Sequence, residues 1–204
     1  MSFSWSKCKI ITVIGDTGSG KTACSYSILD KITDRDKYIL NHPLPDILGP
    51  SGIKNIKDLD TDSLKDCALW IDEPQLIFPK YDKRNNDSLL MLYSLIRQKD
   101  IVMILSTSDT RWINKGMEAY VDTWGIKDLD FSLIKQGSTI RKIIAQKYHN
   151  IMPAGFSMAK DEAILYCRNQ LDKPESIQVP LPEYWGEQFS KPYKYSKDTN
   201  IKVF

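Results

Sequence analysis

The sequence predicts an α/β fold in which a mostly parallel central sheet is flanked by helices, and three stretches carry that prediction. Residues 9–14, Lys-Ile-Ile-Thr-Val-Ile, are a β-branched run of the kind that makes a buried strand. Residues 22–32 then place Ala23, Tyr26, Leu29 and Ile32 at the spacing of one helical face. Residues 67–71 (Cys-Ala-Leu-Trp-Ile) and 101–105 (Ile-Val-Met-Ile-Leu) are two further apolar runs with a helical pattern between them. Strands that alternate with helices return to the same edge of the sheet and so pair in parallel.

Between the first strand and the first helix, residues 15–22 read Gly-Asp-Thr-Gly-Ser-Gly-Lys-Thr, which fits G-x-x-x-x-G-K-[ST] at every fixed position. A glycine-rich turn lets several backbone N–H groups point at one anion, and the helix that follows turns its partial positive charge toward the same place. Gly15, Asp16, Thr17, Gly18, Ser19, Gly20, Lys21 and Thr22 are therefore the predicted nucleotide-binding residues of a P-loop NTPase. Lys21 brings a mobile cation to the phosphates and Thr22 a hydroxyl for Mg2+. A chance glycine-rich turn would not come with strand, loop and helix in this order.

The second anchor is where the run 67–71 stops, at Asp72-Glu73-Pro74. A buried strand ending in two carboxylates delivers them to the C-terminal edge of a parallel sheet, where ligands sit in open α/β folds. Asp72 is the predicted magnesium ligand and Glu73 the catalytic group that polarises a water for attack on the γ-phosphate. Read alone, the pair could equally open a loop. The run 101–105 delivers Ser106, Thr107 and Ser108 to the same edge, a polar tip that can sense the γ-phosphate.

A chain of 204 residues suits one sizeable core, so residues 1–204 are read as a single domain, with a core over about 7–150 and an appendage over 151–204. Lys and Arg total 28 against 26 Asp and Glu, a net charge of +2, which excludes a strong basic field and makes any DNA contact local. The four cysteines, Cys8, Cys24, Cys67 and Cys167, form no C-x-x-C pair, so neither a zinc site nor a disulfide framework is expected. No apolar run approaches the roughly 18 residues needed to span a bilayer, and a soluble, intracellular protein is expected.

Elsewhere, residues 37–40 suggest a short strand, and 41–52 a loop over the sheet edge with His42 at the surface. Residues 78–86 read as a polar loop whose Lys80, Lys83 and Arg84, beside Tyr81, are either a solvated connection or a DNA-binding surface. Ser88 can cap a helix to about residue 99, with Leu89, Leu92, Tyr93 and Ile96 on one stripe and Met91 and Leu95 widening it. Such a helix is expected to be covered on most of its surface, by the core or by a neighbouring subunit. Residues 114–120 suggest a helix, 121–126 a strand, 139–148 and 160–171 helices, and 174–204 an extended segment without period.

Several enzyme classes use a P-loop. A GTPase needs an Asn-Lys-x-Asp base reader, whereas Asn114-Lys115 continues into Gly116-Met117. Many kinases lack a carboxylate beside the metal-binding Asp, and Glu73 argues for hydrolysis. Residues 15–22, the stretch Leu69-Trp70-Ile71-Asp72-Glu73, the approach Arg97-Gln98-Lys99-Asp100-Ile101 and the Ser106-Thr107 tip resemble the FtsK/HerA superfamily. Within it the sequence is most similar to the DNA-packaging ATPases of viruses with double jelly-roll capsids, in particular those of archaeal turreted icosahedral viruses. The resemblance covers about residues 7–150.

It implies a RecA/FtsK-like sheet with the Ser106 strand between the P-loop and Asp72 strands. It also implies ATP and Mg2+, a homo-oligomeric ring of five or six subunits, and translocation of double-stranded DNA into a preformed capsid. The setting is the host cytoplasm or the virion, with capsid or vertex proteins as partners. An arginine finger from the neighbouring subunit is expected, with Arg97 the first candidate, Arg111 the second and Arg84 the third. Many members carry Gln after the Thr of the third tip; here that position is Ser108, which leaves the sensor open between Thr107 and Ser108. Two rival readings stand beside this one: a small-molecule phosphotransferase, and an assembly protein that binds ATP as a structural cofactor.

Overall fold

The computed structural model describes residues 3–60, 62–78, 83–109, 113, 115–152 and 157–195, with residues 83–90, 115–117 and 193 described by their backbone. In chain order the elements are β1 (Ile10–Ile14), α1 (Lys21–Lys31), β2 (Asp36–Leu40), α2 (Pro45–Leu48), β3 (Ile53–Ile56), β4 (Cys67–Asp72), α3 (Lys83–Gln98), β5 (Val102–Thr107) and α4 (Lys115–Tyr120). There follow β6 (Thr123–Ile126), α5 (Thr139–Lys147), β7 (Glu162–Cys167), β8 (Glu175–Gln178), α6 (Glu187–Ser190) and α7 (Pro192–Tyr195), with short 3-10 turns between some of them.

The strands form one eight-stranded sheet of order β3-β2-β4-β5-β1-β6-β7-β8. β3 through β6 pair in parallel, and β7 and β8 add an antiparallel end. β5 lies between β1 and β4, as the resemblance implied. Ile14 pairs with Thr107, and Asp72 with Ser106, so the register brings the tips of β1, β4 and β5 level at one edge.

Side chains alternate across the sheet because a strand has period two. Ile10, Ile14, Leu69, Ile71, Met103 and Leu105 meet Leu92, Tyr93 and Ile96 of α3 and Ile140, Ile143 and Ile144 of α5 on one face. Ile11, Val13, Ala68, Trp70, Val102 and Ile104 meet Cys24, Tyr26, Ile28 and Leu29 of α1 on the other. Burial on both faces explains why these strands read as continuous apolar runs.

Four expectations are corrected. Residues 160–171 hold a strand, not a helix: Ala163 and Cys167 join one core face while Ile164 joins the other, and pairing with β6 and β8 overrides a sequence that is a fair helix former. The segment 41–52 is not all loop, since α2 lies within it, and it leads to an unforeseen edge strand, β3. His42 is buried, 8% exposed, because Tyr26 of α1 meets its Nε2 at 2.9 Å and Asn55 of β3 brackets its backbone. α3 starts at Lys83, five residues before Ser88. Its buried stripe packs on the sheet and carries helix back through the weak helix formers Asn85 to Ser88.

Candidate functional site

Residues 15–20 leave β1 at the level edge, beside the tip of β5, and close on α1. Two glycines are needed there for different reasons. At Gly15 a Cβ would stand 2.6 Å from the Cβ of Lys127 and 2.4 Å from Ser19 Oγ, so any side chain would force the loop off its neighbours. Gly20 caps α1 with φ of 90°, a left-handed conformation that costs other residues strain. The loop is tied down behind: Asp16 N–H donates to the Asp128 carbonyl at 2.7 Å, Asp16 Oδ2 accepts from Asp130 N–H at 2.6 Å, and Ser19 N–H returns to the Asp16 carbonyl at 3.0 Å.

The donors expected to face phosphate are left over. Among the described residues, the backbone N–H groups of Gly18, Gly20, Lys21 and Thr22 find no acceptor in the protein. A cluster of unpaired N–H groups at a helix N-terminus fits an anion. Lys21, 6% exposed, donates its ammonium to the Asp16 carbonyl at 3.1 Å and lies 3.9 Å from Glu73 Oε1. Thr17 is exposed at the loop's tip.

Asp72 ends β4, and its Oδ1 accepts a hydrogen bond from Ser106 Oγ at 2.5 Å. Ser106 accepts in turn from the indole N–H of Trp70 at 2.9 Å, so this fully buried serine holds Asp72 in place. Burial pushes the Asp72 carboxyl up to about 6, against the opposing pull of the Ser106 bond and the nearby Lys21. Asp72 and Thr22, one carboxylate and one hydroxyl, are oxygen donors of the kind Mg2+ takes and would hold it beside the phosphates.

Glu73 has φ of 44°, an unusual conformation for a side chain larger than glycine, and its N–H donates to the Ser106 carbonyl at 2.8 Å. The turn aims its carboxylate along the sheet edge. Oε1 accepts from Ser108 Oγ at 3.1 Å, and Oε2 from Ser108 N–H at 3.1 Å and from Gln75 Nε2 at 2.5 Å. Thr107, fully buried, donates its hydroxyl to Gln75 Oε1 at 2.9 Å and accepts from Asp109 N–H at 3.1 Å. Thr107 thus reaches Glu73 through Gln75, and Ser108 contacts it directly. Gln75 was missed because it stands in a 3-10 turn after the carboxylate pair, where sequence gives no period.

Lys127, beyond the end of β6, was also missed. It is fully buried behind the P-loop, where its ammonium donates to the carbonyls of Lys160 at 2.7 Å, of Ala159 at 3.4 Å and of Glu162. Burial pulls its pKa below the usual lysine range. It ties residues 159–162 to the back of the loop.

Arg97 does not join this cluster. Arg97 is exposed near the end of α3, where its charge acts on Asp122, and Asp122 accepts from the N–H groups of Lys9 and Ile10 at the start of β1. That is the opposite edge of the sheet, about five residues of strand or ~17 Å from the P-loop, too far to serve its own site. Lys80 and Arg111 lie outside the described residues, as does Tyr81. Lys83 and Arg84 are placed by backbone in the first turn of α3 rather than in a loop.

No family model matches the sequence, and no curated protein matches it. Solved structures do. The genome-packaging NTPase B204 of Sulfolobus turreted icosahedral virus 2, in complex with ATPγS, aligns over 86% of this chain and 98% of its own, with TM-score 0.55 and 16% identity. B204 of Sulfolobus turreted icosahedral virus, described as the DNA-packaging ATPase, aligns over 85% and 98%, with TM-score 0.54 and 15% identity. The cytoplasmic domain of the Type VII secretion ATPase EccC from Thermomonospora curvata aligns over 90% of this chain and 25% of its own, with TM-score 0.56 and 12% identity. The chain has the fold of these P-loop ATPases.

Proposed function

We propose that the chain is an ATP-hydrolysing motor that moves double-stranded viral DNA into a preformed capsid. The observation that carries the enzymatic part is the meeting of Lys21, Asp72 and Glu73 at one sheet edge, with the Lys21 ammonium 3.9 Å from Glu73 Oε1. The free N–H groups of the loop and Lys21 hold the β- and γ-phosphates. Thr22 and Asp72 hold Mg2+, which when bound neutralises charge building on the phosphate oxygens. Glu73 orients a water for in-line attack and accepts its proton. Gln75 and Ser108 fix the carboxylate, and they link its position to the tip of β5.

The packaging part is supported by likeness to B204 over 86% of this chain and 98% of its own. The phosphotransferase reading gains no support, since the similar structures are ATPases and Glu73 is held beside Lys21. The motor works as a ring, and its track is held by cations repeated around one duplex, because a net charge of +2 leaves each subunit only a weak hold. Displacement of a third strand from a triplex-bearing duplex tests this directly. ATP-dependent displacement by the assembled protein is the expected result; hydrolysis without displacement contradicts translocation.

A further inference from the structure

We infer that the cavity beside the P-loop takes the base and ribose of the nucleotide, with Trp185 as the stacking surface for the base. The inference rests on the P-loop being a nucleotide site. The cavity has a volume of about 350 Å³. It is lined by Gly20, Thr22 and Ala23 from the loop end of α1, and by Asp161, Leu181 and Trp185 from the C-terminal part of the chain. Its size falls in the range of ~300–1,000 Å³ typical of small-ligand pockets. Because the P-loop and the start of α1 line it, a nucleotide whose phosphates occupy the loop has this space as the place for its nucleoside.

The wall facing α1 is built and braced. Ser27 Oγ donates to the Pro180 carbonyl at 2.7 Å, and the Tyr184 hydroxyl donates to Asp30 at 3.5 Å, which together hold the segment along the helix. Tyr26 meets the Trp185 ring edge-on at 5.2 Å, and Phe189, itself buried, stacks on it at 5.5 Å with planes 22° apart. Packing therefore fixes the indole without using it up: Trp185 remains half-buried and lines the cavity. Leu181 beside it is 51% exposed, a large apolar side chain that core packing does not account for. A rigid aromatic with an apolar neighbour suits the flat face of a nucleobase, and Asp161 adds an acceptor within reach of the same space. The C-terminal segment thus completes a site whose phosphate half belongs to the first 22 residues.

Calorimetric titration of the full chain with ADP and with inorganic pyrophosphate separates the two halves. Wild type binds both, and ADP more tightly. Trp185→Leu removes the stacking surface, while Ala23→Leu fills the cavity from the helix side with a residue almost as favourable to helix. Each variant, with an unchanged melting temperature, is expected to lower ADP affinity about 10-fold, within what a lost base–aromatic stack costs, and to leave pyrophosphate affinity as it was. Unchanged ADP affinity in both variants overturns the base subsite while leaving the P-loop reading in place. Equal weakening of both ligands also overturns it, since Trp185 would then only brace the loop. If wild type binds neither ligand, the nucleotide reading beneath it falls.

Discussion

Glu73 concentrates the chemistry of the site in a single side chain. Its left-handed backbone and its three hydrogen bonds, two from Ser108 and one from Gln75, are constraints that a structural loop residue would not need. Glu73→Gln keeps its shape but cannot take a proton. Phosphate release should slow at least ~100-fold while nucleotide still binds, and turnover near wild type would reduce Glu73 to a loop residue. His42 gives a second residue-scale prediction. Burial pulls it down to about 4, so in the folded chain it stays neutral where the unfolded chain, near 6.5, takes up a proton. The unfolded state then binds more protons between those values, and stability is full above about pH 6.5 and falls as pH drops toward 4, by on the order of 3 kcal/mol. Urea titrations of wild type and His42→Gln across that window check it: the variant should lose most of this slope, and an identical slope would place the titrating group elsewhere. The sequence placed Lys21, Asp72 and Glu73 because their motifs follow strands in a fixed order. It misplaced His42 because burial by Tyr26 depends on a contact across 16 residues, which no local period records.

α3 is the element on which the most sequence-based expectations converge. Its 16 residues span about 24 Å, from the P-loop edge at Lys83 toward the opposite edge at Arg97. A cation in its first turn and one in its last therefore serve different faces of the subunit. Lys83 and Arg84, at the P-loop edge by backbone position, remain the proposed DNA contacts, now on a helix rather than a flexible loop. Lys83→Glu with Arg84→Glu should flatten DNA stimulation of hydrolysis and leave the basal rate within about two-fold, because the proposed chemistry is carried by Lys21, Asp72 and Glu73 and the contacts to a duplex by cations on its phosphates. Stimulation equal to wild type removes these two residues from the DNA surface. The central strands were legible because burial on both faces gives unbroken apolar runs. β3, β7 and β8 were not: Ile53–Ile56 and Glu175–Gln178 are short and largely uncovered edge strands, and β7 is chosen by its partners.

At the scale of the whole molecule, the expected boundary near residue 150 does not divide the sheet. β7 and β8 extend it, Lys127 ties residues 159–162 to the back of the P-loop, and the segment after β8 packs along α1. The first and last parts of the chain therefore line one cavity together, which a reading limited to the N-terminal motifs could not anticipate. Among the described residues, no helix is long and apolar enough to cross a membrane. The central claim is that this site powers movement along double-stranded DNA. Its most direct test is the steady-state ATPase rate of the assembled protein, measured at low salt with and without double-stranded DNA of mixed sequence. Stimulation that does not depend on sequence and that fades as salt rises is the expected result, since the proposed contacts are to phosphates. A rate indifferent to DNA at every salt concentration would contradict it.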